Sequence, residues 1–279
     1  MPELPEVETI KNELSPAIVG QSFTQVDILD TKLVSGGSPE RVRRGLIGQK
    51  IERLERRGKY LIFCLSNDRS LIIHLRMTGV LLLNPADIDR YARAVFALSN
   101  GQRFVFRDRR RLGVIWLVGD AASVVGKLGP EPLDKRFTAH VLGQRLGRHH
   151  IPIKAALLDQ SIVAGVGNMY ADEALFAARI HPLAKADELS SEEVRALHNR
   201  IRKVLRAAID GKGASVDSYI RPEGELGTAH FSFKVAHRGG EPCPVCGGTV
   251  ERVVVQNRGT YFCPRCQPLR RKHVRPRGK

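Results

Sequence analysis

The spacing of apolar residues changes character along the chain. Val7, Ile10 and Leu14 recur at helical intervals and predict a helix over residues 6–14. From residue 22 to residue 117 the apolar positions fall in short runs, at 59–65, 71–75, 80–83, 94–98, 103–106 and 114–118. Turn signals such as Ser66-Asn67-Asp68 and Ser99-Asn100-Gly101 separate them. Short strands at this spacing predict an antiparallel sandwich or barrel. Gly129-Pro130-Glu131-Pro132 reads as a stiff boundary. Beyond it the period is helical, over 138–146, 153–159, 169–178 and 190–210, and Ser190-Ser191-Glu192-Glu193 caps the last segment. Gly165-Val166-Gly167-Asn168 is a glycine turn joining two helices, and residues 211–230 read as a loop. The expected fold is α+β and multidomain. An antiparallel β-sandwich with flanking helices spans 1–130, a helical domain 131–230, a cysteine-rich hairpin 231–267 and a basic tail 268–279.

Composition sharpens this. With 279 residues and 42% hydrophobic positions, the chain is long enough for about two cores. No apolar run approaches the ~20 residues needed to cross a bilayer, and the acidic start is unlike a secretory leader, so a cytoplasmic protein is expected. The formal charge is +16. Residues 1–150 hold 24 Lys and Arg against 16 Asp and Glu, and residues 151–279 hold 21 against 13, so the excess is shared equally. Charge spread this way points to a polyanionic partner, with nucleic acid first, against a merely solvated basic surface.

Cys64 lies alone in an apolar run and reads as a core thiol. Cys243 and Cys246, then Cys263 and Cys266, form two Cys-x2-Cys pairs sixteen residues apart. Pro244 and Pro264 tighten each pair into a knuckle, and the intervening residues suit a hairpin turning at Asn257-Arg258-Gly259. Four thiolates make a closed, structural zinc site, with iron as the competitor. The expected cofactor is one structural Zn2+, and the hairpin's task is to present Arg258.

The opening Pro2-Glu3-Leu4-Pro5-Glu6-Val7-Glu8 has two readings. It suits a helix lead-in with Pro5 at the first turn and acids near the N-terminus. Removal of Met1 would also leave Pro2 with a secondary amine beside two carboxylates. Such an amine can attack a sugar aldehyde and form an iminium, an electron sink for elimination.

Five separated segments then carry a resemblance. They are residues 2–8, Gly58-Lys59-Tyr60, His74-Leu75-Arg76-Met77-Thr78-Gly79, Gly165-Val166-Gly167-Asn168-Met169-Tyr170-Ala171-Asp172-Glu173, and the hairpin from Arg258 to Gln267. In this order they resemble bacterial formamidopyrimidine-DNA glycosylases, over residues 2 to about 267. Leu4 favours this branch over the related endonuclease VIII branch. The resemblance implies a β-sandwich, a helix–two-turn–helix domain and a zinc finger. It implies a base-excision-repair enzyme that removes oxidised purines and then cuts the strand, working on damaged double-stranded DNA. A monomer without a small-molecule cofactor, in a bacterial cytoplasm at the nucleoid, is expected.

The same resemblance implies roles. Pro2 would be the nucleophile, Glu3 the proton donor, Glu6 an orienting or relay group, Lys59 the acid in β-elimination, and Arg258 a phosphate grip that assists δ-elimination. Met77 would fill the space left by an extruded base, and Arg110 would pair with the orphaned base. Asn168 would bind a phosphate, with His74, His150 and Lys154 as further phosphate candidates. Leu112 stands where the family usually has Phe, and Tyr91 where it has a DNA-contacting histidine. Val235-Ala236-His237-Arg238 replaces Val-Tyr-Gly-Arg. These departures leave opposite-base preference open and spare the catalytic set. Residues 219–229 match a lesion-capping loop. Lesion ranking, partner repair proteins and the role of the tail are not written in the sequence. The rival readings are a pyrimidine-lesion glycosylase of the same fold, a DNA- or RNA-binding protein without catalysis, and a zinc-dependent nuclease. The last is disfavoured because four thiolates leave no open coordination position.

Overall fold

The computed structural model describes residues 2–269. Helix α1 (Leu4–Ile18) opens the chain with Pro5 in its first turn, and it buries Val7, Ile10, Leu14 and Ile18. Strand β1 (Phe23–Ile28) follows, then helix α2 (Pro39–Leu46), capped by the Ser38 hydroxyl. Next come β2 (Ile51–Arg57), β3 (Tyr60–Leu65), β4 (Ser70–His74), β5 (Gly79–Leu83), β6 (Ala92–Leu98), β7 (Arg103–Asp108) and β8 (Val114–Val118). They form two four-stranded antiparallel sheets, ordered β1-β6-β7-β5 and β2-β3-β4-β8. The inner faces and α1 share one core that contains Phe23, Phe63, Phe96, Phe104 and Phe106. Phe96 and Phe104 stack at 4.6 Å between ring centroids. The short helix α3 (Ala122–Val125) places Val125 against Ile62 and Ile72 on the other face of the second sheet.

From β2 onward the chain crosses from one sheet to the other twice, between β4 and β5 and again between β7 and β8. The first crossing holds Met77 and the second holds Arg110 and Leu112.

The helical stretch comprises α4 (Ala139–Leu146), α5 (Ile153–Leu158), α6 (Asn168–Ala178) and α7 (Ser191–Asp210). Strands β9 (Glu251–Val255) and β10 (Arg258–Phe262) form the cysteine hairpin. By their contacts these elements gather into two compact units. One ends at Glu131 and takes back Leu205–Ser232; the other is Pro132–Val204 and the chain from Phe233. The loop after α7 packs in the same unit as the sandwich. Its ties explain why: Leu83 donates to the Pro222 carbonyl at 2.7 Å, Arg221 pairs with Glu13 at 2.7 Å, and Tyr219 joins the sandwich core. The hairpin shares its unit with the helices, and Phe176 of α6 packs on Val235, Cys243, Val250 and Cys263. The tail from residue 270, and Met1, lie outside the described residues. No helix among the described residues is long and apolar enough to cross a membrane.

Candidate functional site

In the sandwich unit, the chain start forms a buried corner. Pro2 is buried, Glu3 is 2% exposed and Glu6 is fully buried. Glu3 is the N-cap of α1, and its amide donates to Glu6 Oε2 at 2.7 Å. Glu6 Oε1 accepts the Ala214 amide at 2.8 Å. One carboxylate thus ties the first helical turn to the base of the loop at 214–228. Acids at this end of α1 also complement the helix dipole.

Lys59 does not begin a strand, as its apolar neighbours suggested. It is the second residue of the two-residue turn between β2 and β3, where Arg57 pairs with Tyr60. Gly58 takes φ +57° while Lys59 stays outside the positive-φ region, the pattern of a type II′ hairpin turn. Glycine is needed there because an L side chain is strained at that angle. Lys59 is 6% exposed.

Residues that sequence reasoning passed over hold this turn. Glu131, read as part of a boundary, accepts the Gly58 amide at 2.5 Å, Arg57 at 3.0 Å and Arg56 at 2.8 Å. Arg56 also pairs with Glu8 at 2.6 Å, which links the turn to α1. Burial pushes the Glu8 carboxyl up, and ion pairs with Lys11 and Arg56 outweigh it and hold it below the usual range.

His74 ends β4 and is 7% exposed, against the edge of the Tyr60 ring. Burial first, then Arg76 and Lys59, push its pKa down to about 3. Its Nδ1 accepts the Arg76 amide at 3.1 Å, so a neutral ring carries its proton on Nε2. The expected phosphate candidate is a neutral donor, not a cation. Met77 lies part-exposed at the turn after it, away from the core, and its carbonyl accepts from the Ser218 hydroxyl at 3.2 Å. Arg110 and Leu112 are exposed on the second sheet crossing. Tyr91 has three guanidinium groups over its ring, from Arg90, Arg107 and Arg109, at 4.9–5.4 Å. Arg90 also donates to its hydroxyl, which draws the phenol below its ordinary range.

In the other unit the four cysteine sulfurs all lie within 4.8 Å of one another, Cys243 to Cys266 at 3.8 Å and Cys246 to Cys263 at 3.4 Å. A tetrahedron of thiolates ~2.3 Å from zinc has edges of ~3.8 Å, so this donor set fits one structural ion. The turn of the hairpin falls one residue earlier than expected. Gln256 and Asn257 take φ +47° and +60°, and Arg258 opens β10 opposite Val255. Arg258 is exposed beside the tip.

Asn168 and Lys154 both have partners inside this unit. Asn168 opens α6 and donates its side-chain amide to the Gly259 carbonyl at 2.9 Å, beside Arg258. Lys154 is fully buried and donates to the Asn168 carbonyl at 2.6 Å and to Asp172 at 2.5 Å. A side chain with no exposure cannot meet a phosphate directly; it supports the Asn168 turn instead. Glu173, also unassigned by sequence, accepts the amides of Lys234, Val235 and Ala236 and fixes the lead into the hairpin. Exposed His150 pairs with Asp187 at 2.9 Å.

Family models match nearly the whole chain. The formamidopyrimidine-DNA glycosylase N-terminal domain matches residues 1–115, its H2TH domain residues 128–219, and a zinc finger found in FPG and IleRS residues 240–269. The formamidopyrimidine-DNA glycosylase of Symbiobacterium thermophilum is 44% identical, covering 96% of this chain and 90% of that one. The crystal structure of the MutM (FPG) protein from Thermus thermophilus superposes with a TM-score of 0.87 at 40% identity, covering 95% of this chain and 98% of that one. The complex between Lactococcus lactis Fpg and DNA containing an abasic site gives 0.88 at 34% identity, covering 95% and 99%. Three family models in order and whole-length relatives above 30% identity show that the chain belongs to the formamidopyrimidine-DNA glycosylase family.

Proposed function

We infer that this chain removes oxidised purines from DNA and then cuts the strand at the resulting abasic site. The observation that carries this reading is the buried corner of Pro2, Glu3 and Glu6 at the head of α1, in a chain that aligns with a family member over 96% of its length. Once Met1 is removed, the Pro2 amine attacks C1′ of the damaged nucleotide. The N–C1′ bond forms, the base departs, and the sugar ring opens as O4′ leaves with a proton from Glu3. An iminium remains, and it drains electrons while the 3′ and then the 5′ phosphate are eliminated. Glu6 positions the first turn. Lys59 serves proton transfer in the elimination, and Arg258 grips a phosphate. Met77 fills the vacated stack, an apolar wedge of the kind that kinked duplexes accept. Arg110 reads the orphaned base through its fan of donors.

Two departures shape specificity. Leu112 is apolar but cannot stack as an aromatic ring does, and the arginine-ringed Tyr91 gives the neighbouring surface a cationic aromatic face. We further propose that the protein works as a monomer, without a small-molecule cofactor, in the bacterial cytoplasm. A lesion-panel cleavage assay on the Met1-processed protein tests the reading. Duplexes with 8-oxoguanine or formamidopyrimidine should be cut fastest. A preference for thymine glycol would place the chain among pyrimidine-lesion enzymes, and no cleavage of any lesion would leave a binding protein.

A further inference from the structure

The two sheet crossings that carry Met77 and Arg110 meet at one buried side chain. Asp108 ends β7 with no solvent exposure. Its Oδ1 accepts the Thr78 hydroxyl at 2.5 Å and the Arg110 amide at 3.1 Å. Its Oδ2 accepts the Leu112 amide at 2.8 Å and the Gly113 amide at 2.7 Å. The Arg110 amide also approaches the Thr78 hydroxyl, at 3.3 Å. Thr78 follows Met77 directly, so the carboxylate joins the residue after the wedge to the backbone on both sides of the opposite-base loop.

The surroundings leave little slack. Gly79 pairs with Asp108 across β5 and β7, and a Cβ there would run into the Leu75 carbonyl and the Phe106 ring. A Cβ on Gly113 would run into the same ring. The Asp108 carbonyl accepts Arg93 at 2.9 Å, so the main chain is fixed as well. A buried carboxylate with four donors is satisfied, and losing one acceptor strands a donor inside the fold.

We propose that Asp108 is the positioning residue that makes Met77 and the Arg110–Leu112 loop one rigid implement for opening the duplex. This rests on the glycosylase reading above. Asp108 touches no reacting atom; it acts through Thr78 and the loop amides. It should matter when a paired base must leave the stack and matter little when the base is already gone.

The test compares two substrates, 8-oxoguanine opposite cytosine in an intact duplex and a preformed abasic site opposite cytosine. Thr78→Val removes only the hydroxyl that joins the crossings. Excision from the intact duplex should fall about tenfold while cleavage at the abasic site stays within about twofold. Fluorescence of a 2-aminopurine beside the lesion should show slower unstacking, and Thr78→Ser should restore both readouts. Asp108→Asn should show the same split at roughly a hundredfold. If it fails to fold, the Thr78 pair decides alone. An equal loss on both substrates, or no loss on either, would overturn the proposal. Wild-type protein that cuts neither substrate would instead overturn the glycosylase reading.

Discussion

The Lys59 corner and the Arg258 hairpin carry basic side chains on similar devices, a short turn between two antiparallel strands. Their supports differ. Gly58-Lys59 is clamped by carboxylates, with Glu131 on the turn amide and on two arginines, and Glu8 on one of them. Gln256-Asn257 has no such clamp among the described residues; below it stand four thiolates, and beside it the Asn168 amide. A large aromatic core can position a buried lysine through acids that need no cofactor. A hairpin of two five-residue strands lacks that core, and a metal supplies the missing folding energy.

Zinc removal is the strongest way to break the comparison. Chelation, or Cys263→Ser, should strip hydrogen-exchange protection from peptides spanning 243–267 and leave those spanning 51–74 unchanged. DNA affinity should fall with it, by more than any single substitution named below, because Arg258 stands on that hairpin. Loss of protection in both regions would mean the corner also depends on the metal. The converse is Glu131→Gln, which keeps one acceptor and removes the charge. Strand cleavage should slow by about tenfold to thirtyfold with DNA affinity unchanged, measured by single-turnover kinetics and a binding titration.

The corner also has a pH signature of its own, apart from the proton competition for the hairpin's thiolates. His74 is held neutral in the fold, with a pKa near 3 against 6.5 when exposed. Below pH 6.5 the unfolded chain binds a proton that the native ring refuses. Stability should therefore fall as pH drops from 6.5 towards 3, by about 1.4 kcal/mol for each pH unit from this group. Denaturant titrations of His74→Gln should show that slope removed. The smallest effect belongs to the hairpin's polar strut. Asn168→Ala should weaken DNA binding about fivefold with the salt slope unchanged, whereas Arg258→Ala should reduce the slope by about one.

What the sequence made legible follows the range of the interactions. Strands with local apolar runs were readable, as in Tyr60–Leu65 and Val114–Val118. β2 was not, because Ile51-Glu52-Arg53-Leu54-Glu55-Arg56-Arg57 buries only Ile51 and Leu54, with no alternation to read. α2 was missed although Ser38-Pro39-Glu40 is a helix start, since its basic run hides two buried residues, Val42 and Leu46. Pro2, Glu3 and Lys59 stood out through the resemblance. Their supports did not, because Glu131 reaches Gly58 across 73 residues and Ala214 reaches Glu6 across 208. Lys154 looked like a surface cation until Asp172, eighteen residues on, met it inside the unit. The hairpin register slipped by one because Gln256 and Asn257 take positive φ without a glycine to announce it.

The central claim is that the chemistry begins at the Pro2 nitrogen. Borohydride trapping on abasic-site DNA, followed by peptide mapping of the adduct, tests it most directly. Protein lacking Met1 should give one covalent adduct, on Pro2, and protein with a blocked N-terminus should give none. An adduct on Lys59, or trapping that survives the block, would contradict the account.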